Sequence, residues 1–184
     1  MLLAGLLSAQ FQGAVAGGSY DLLATEILTS SQASVTFSSL DSYAADYQHL
    51  QIRAVARSAS ATSGNGPLWL RFNSDSGNNY AWHRLLATGT QVQSQASTST
   101  NQILAGLTEL NNNAANAFSP SVIELLDVFS TSKNKTIRAL SSASQLQLAS
   151  GLWLNTNAVS SLTFTTESNF AQYSRFSLYG LRSS

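Results

Sequence analysis

His49 and His83 are the only imidazoles in this chain, and neither has a second histidine at ligand spacing. With no cysteine to supply thiolates or disulfides, a metal centre is not expected. Asp75, in Asn73-Ser-Asp-Ser-Gly-Asn-Asn79, offers the hard oxygen donors that calcium takes. Calcium loops usually carry several carboxylates and this run has one, so it reads as an Asn/Asp/Gly turn. Glu124 and Asp127 are the nearest carboxylate pair for glycoside chemistry, but residues three apart on a strand point to opposite faces. Serines are abundant, yet none sits in a G-x-S-x-G elbow that would expose a nucleophile. The expectation is a protein that is not an enzyme and takes no cofactor. Trp69, Trp82 and Trp153, with Tyr80 and Tyr173, could stack on sugar rings. The alternative, favoured by their place in alternating strands, is that they lie in the core or at a subunit contact.

The elements that would hold these side chains are strands. Leu50, Ile52, Ala54 and Ala56 alternate with Gln51, Arg53, Val55 and Arg57, the pattern of a half-buried strand. Val35 and Phe37 alternate with Thr36 and Ser38, and Leu68, Leu70 and Phe72 with Trp69 and Arg71. The polar run 73–79 then predicts a hairpin joining residues 68–72 to 80–88. Residues 91–101 are Ser/Thr/Gln-rich, an exposed loop or edge strand, and further strands are predicted near 103–110, 122–129, 136–144, 145–154, 159–165 and 173–181. The sum is about ten strands at turn spacings of a sandwich or barrel. The expected fold is all-β, an antiparallel β-sandwich or jelly roll over residues 19–184, with a short apolar arm, residues 1–18, before it.

Composition narrows the partners. Nine basic residues balance nine acidic ones, and only 10% of the chain is charged. A phosphate-neutralising basic excess is missing, so nucleic acid is not an expected partner. A surface so poor in charge suits close packing in an oligomer or shell, or equally a Ser/Thr-covered extracellular-type domain. In Met1–Phe11, MLLAGLLSAQF, the apolar run is too short to span a membrane and has no Lys or Arg ahead of it as a signal peptide would. Leu2, Leu3, Leu6, Leu7 and Phe11 recur at helical spacing as one apolar stripe. Such an arm must dock on its own domain or on a neighbour, and Gly17-Gly18, as a hinge, favours the neighbour.

Several blocks resemble a known family. They are Ser34-Val-Thr-Phe-Ser-Ser-Leu40, Tyr47-Gln-His-Leu-Gln-Ile-Arg53, Leu70 to Leu85, Gly151-Leu-Trp153 and Asn169 to Leu181. Together they are similar to small virion structural proteins of tailed bacteriophages, over about residues 19–182. The resemblance implies a jelly-roll-like domain, a homotrimer on the outer surface of a virion assembled in the host cytoplasm. It supplies no catalytic residue. Two roles follow from it: a capsid decoration or cement protein bound to the major capsid protein, with the arm on the shell or a sister subunit, or a tail-fibre or tail-tip head domain binding host glycan. Another tail or neck subunit is a third.

Overall fold

A computed structural model describes residues 20–182. The arm residues Leu2, Leu3, Leu6, Leu7 and Phe11 lie outside the described residues. Within them the chain is all-β: β1 (Asp21–Ile27), β2 (Gln32–Phe37), β3 (His49–Ala56), β4 (Asn65–Phe72), β5 (Tyr80–Ala87), β6 (Val92–Thr100), β7 (Ile103–Glu109), β8 (Ser119–Leu126), β9 (Lys135–Ser142), β10 (Leu146–Trp153), β11 (Leu162–Phe170) and β12 (Arg175–Leu181). A single 3₁₀ turn, Leu40–Tyr43, follows β2. The polar run after residue 91 is a strand, β6, and nearly all of it is exposed.

The strands form two antiparallel sheets, one ordered β1-β12-β3-β8-β9-β10-β5-β6 and the other β2-β11-β4-β7. If β5, β6, β9 and β10 are set aside, the remaining eight strands make the two four-stranded sheets β1-β12-β3-β8 and β2-β11-β4-β7. That is the strand order of a jelly roll. The two set-aside pairs are insertions, β5–β6 between β4 and β7 and β9–β10 between β8 and β11, and both extend the same sheet beyond β8.

The core lies between the sheets because each strand turns its alternate apolar residues inward. Leu50, Ile52 and Ala54 from one sheet meet Leu68, Leu70 and Phe164 from the other, all buried. Gly151 is required where β10 passes beneath β7, since a Cβ there would lie 2.4 Å from Ile103 Cγ2.

The link between β4 and β5 is not the expected hairpin. The two strands belong to different sheets, β4 pairing with β11 and β7 and β5 with β10 and β6. Asn73 and Ser74 adopt left-handed φ of 49° and 56°, which redirects the chain across the sandwich. Asn73 Oδ1 then accepts from the backbone N–H groups of Ser160 and Ser161, tying the link to the segment before β11. Tyr80 closes it from below: its hydroxyl accepts from Phe72 N at 3.1 Å and lies 3.0 Å from the Asp75 carbonyl oxygen, to which it donates.

Burial, above all, pushes the Tyr80 phenol up to about 12. In the unfolded chain it ionises near pH 10. The folded state therefore keeps a proton that the unfolded state loses, and this contribution, full below about pH 10, disappears between about pH 10 and 12. It amounts to about 3 kcal/mol. Urea midpoints should fall across that window in the natural chain and much less in Tyr80→Phe; equal slopes would refute the assignment.

Candidate partner-binding face

The inserted strands carry an inverted pattern. In β10, Trp153 is enclosed and sets the register, so Gly151, Ala149 and Gln147 also turn inward. Leu148 and Leu146 must then turn out, and they are 51% and 49% exposed. In β5, Tyr80 and Leu86 are buried and Arg84 lies between them on the inner side, which leaves Leu85 outside, 47% exposed. On that side Arg84 bridges inward and outward: its Nη1 donates to the buried Gln147 Oε1 at 3.3 Å and its Nε to the exposed Gln95 Oε1 at 2.8 Å. Gln147 Nε2 is buried without a partner. A slip of one residue would bury the leucines and free the glutamine. The register held by Trp153 and Gly151 forbids it.

The register across the sheet aligns Arg53, Val122, Leu140, Leu148, Leu85 and Ser94 in one row. Val122, Leu140, Leu148 and Leu85 form the floor of an open apolar trough of about 680 Å³ on the outer face. The neighbouring row, Gln51, Glu124, Arg138, Ser150 and His83, is polar. Arg138 is ion-paired with Glu124 across β8 and β9, so these rim charges neutralise one another. Arg53 lies over the Tyr179 ring at 4.5 Å and the Tyr20 ring at 5.3 Å, which bounds the apolar row at β3. Apolar side chains gathered on one solvent-facing sheet are a signature of a contact surface rather than of scattered exposure.

The residues singled out for chemistry are held apart. His49 and His83 sit on β3 and β5, with β8, β9 and β10 between those strands. His49 Nδ1 accepts from Asp127 N at 2.9 Å. Glu124 faces outward beside Arg138, whereas Asp127 turns away beyond β8 and binds Lys133 and Gln48. Those two hydrogen bonds, Lys133 first, hold the Asp127 carboxyl below its usual range. Asp75 accepts from Trp153 Nε1 at 2.7 Å, Asn79 Nδ2 at 2.9 Å and Gly77 N at 2.8 Å, so its carboxylate organises the turn. Among the described residues, no group of three or more His, Asp or Glu gathers as metal ligands would. No helix among them is long and apolar enough to cross a membrane.

The three tryptophans do not form one platform. Trp153 is 1% exposed and stacks on Phe72 at 5.3 Å and on Tyr80 at 6.3 Å. Trp69 and Trp82 are half-buried, their ring centroids 6.5 Å apart and tilted by 59°. Of the five aromatic residues named for sugar stacking, Trp153 and Tyr80 are enclosed, which leaves Trp69, Trp82 and the exposed Tyr173.

Sequence reasoning did not single out the trough. Its residues were visible as alternating leucines, but alternation marks two faces without saying which one is covered. The available signal was the pairing of Gln147 and Arg84 with flanking leucines in two strands that also carry Trp153 and Tyr80. The sequence matches no protein-family model and no curated protein.

Proposed function

We propose that this chain is a capsid decoration, or cement, protein of a tailed bacteriophage. On this reading it forms a homo-oligomer, a trimer, on the outer surface of the virion and binds the major capsid protein. The supporting features are the resemblance of the quoted sequence blocks, the jelly-roll strand order and a surface with few charges to repel a neighbour. The observation that carries a packing role is the leucine face on the inserted hairpins, where the register turns Leu148 and Leu85 to solvent and Gln147 and Arg84 inward. Two insertions that add an exposed apolar surface make sense when another protein surface lies against it.

Two measurements test this reading. Purified particles of the phage that encodes the chain should contain it in numbers comparable to the major capsid protein, with immunogold label on the shell. Label confined to the tail would move it to the tail subunits, and absence from particles would end the virion reading. Separately, Leu140→Glu with Leu148→Glu should leave the domain folded, because both side chains are about half exposed. Enclosing two unpaired carboxylates costs several kcal/mol, so self-association should weaken by about 100-fold or more in sedimentation. An unchanged association constant would remove the face from the contact.

A further inference from the structure

We propose that the trough is filled by residues 2–11 of a second copy of this chain. The inference rests on the reading of the leucine face as a contact between subunits, and it names the segment that makes the contact. Its independent support is shape, composition and the direction in which the chain joins the sheet.

The floor of the trough runs from Val122 to Leu85 across three strand-to-strand steps. At about 4.8 Å per step this is about 14 Å. A ten-residue helix is about 15 Å long and about 10 Å wide, a match in length to an open depression of about 680 Å³. Leu2, Leu3, Leu6, Leu7 and Phe11 recur at helical spacing, and residues 1–19 include no charged side chain. Such a segment asks nothing of the polar row, whose Arg138 and Glu124 already pair with each other.

Direction separates a neighbour's segment from the chain's own. The register places Asp21 opposite Gly180, and through it Leu50 and Leu125. Thr25, further along β1, lies opposite Ser177 and so reaches the row of Arg53 and Val122. The strand thus runs toward the trough row from N- to C-terminus. The line of β1 extended backward leaves the sheet at the other end, so to fill its own trough the chain would have to reverse before Asp21. The segment of a neighbouring copy is not bound by that direction, and the glycines Gly17 and Gly18 allow its angle to be set.

The natural chain contains no cysteine, so an engineered pair can report the contact, with peptide mapping to show that residue 6 is joined to residue 148 and not 148 to 148. Leu6→Cys with Leu148→Cys is placed in the full chain, and Leu6→Cys with Thr36→Cys, on the outer face of the other sheet, is the control. Leu148 and Thr36 are both exposed, so neither substitution opens the core. Under mild oxidation the first pair should yield disulfide-linked oligomers about tenfold faster than the control, because docked thiols meet at a high effective concentration. Closure within one chain, seen as a monomer that has lost both thiols, would overturn the assignment to a second copy. A rate equal to the control would overturn docking in the trough. Neither result depends on whether the chain is found on particles, so the inference and the virion reading can fail separately.

Discussion

Trp153→Ala should lower the unfolding free energy by about 3–5 kcal/mol, a large share of the 5–15 kcal/mol typical of a domain. The side chain is 1% exposed and fills the space between the two sheets at the end of β10. Its ring lies nearly parallel to Phe72, 9° between planes, and to Tyr80, 16° between planes. Removing it leaves a cavity that two stacked aromatic rings can only partly close, and the cavity adds to the lost transfer free energy. It also removes the Nε1–H donor that Asp75 accepts at 2.7 Å. Trp153→Phe separates the two effects. It keeps most of the packing and loses the hydrogen bond, so it should cost about 1–3 kcal/mol. The hydrogen bond from Trp153 is the largest of the influences that hold the Asp75 carboxyl below its usual range, followed by that from Asn79. A depressed carboxyl contributes stability that is present above its unfolded pKa, about 3.9, and is lost as pH falls through the folded value. The acid limb of the stability profile should therefore be shallower in Trp153→Phe than in the natural chain. Urea unfolding at several pH values between 2 and 7 reads both effects. A Trp153→Ala cost below about 1 kcal/mol would contradict the packing described here.

Arg57 is the second position where one side chain supports much of the structure. It is 5% exposed, and its guanidinium donates to four backbone carbonyls: Ala114 at 2.9 Å, Ala117 at 2.6 Å, Asn111 at 2.9 Å and Asn113 at 3.4 Å. These carbonyls belong to the link between β7 and β8, where the Ala114 oxygen also accepts from Ala117 N at 3.2 Å and no regular structure pairs the other three. A planar fork with five donors can serve four acceptors around it, whereas an ammonium on a single stem cannot. Arg57→Lys should cost about 1–3 kcal/mol and Arg57→Met about 2–4 kcal/mol, the latter because the carbonyls lose every charge-assisted bond. Replacing a buried charge by an apolar group is sometimes neutral, since the desolvation cost goes with it. Here the acceptors remain and must turn to water, so the loop should open. Limited proteolysis should cut residues 111–117 faster in Arg57→Met than in the natural chain. Resistance equal to the natural chain would show that the loop holds without the guanidinium.

The leucine face illustrates what strand patterns can and cannot tell. Leu146-Gln-Leu-Ala-Ser-Gly-Leu-Trp153 alternates, and the alternation marks a strand. It does not say whether Leu148 or Gln147 is inside, because both sides of an inserted strand can be covered. The choice is made by the steric fit of Gly151 beneath Ile103 and by the stacking of Trp153 on Phe72, contacts between segments far apart in the chain. Arg57 is a similar case. It continues the outward series Gln51, Arg53, Val55, yet it is buried, since the link after β7 folds back over it.

From the sequence alone the all-β class, the antiparallel sandwich and most strand positions could be read, because period-2 alternation and turn residues are local properties of the backbone. The pairing of strands could not. The polar run 73–79 looks like a hairpin tip, and only the left-handed turn at Asn73 and its ties to Ser160 and Ser161 send β4 and β5 into different sheets. The jelly-roll order, the two insertions that widen one sheet to eight strands and the solvent-facing leucines all follow from such long-range contacts. Local propensity specifies that a strand forms; which partner it takes, and which of its faces meets water, depends on packing that exists only once the whole domain has closed.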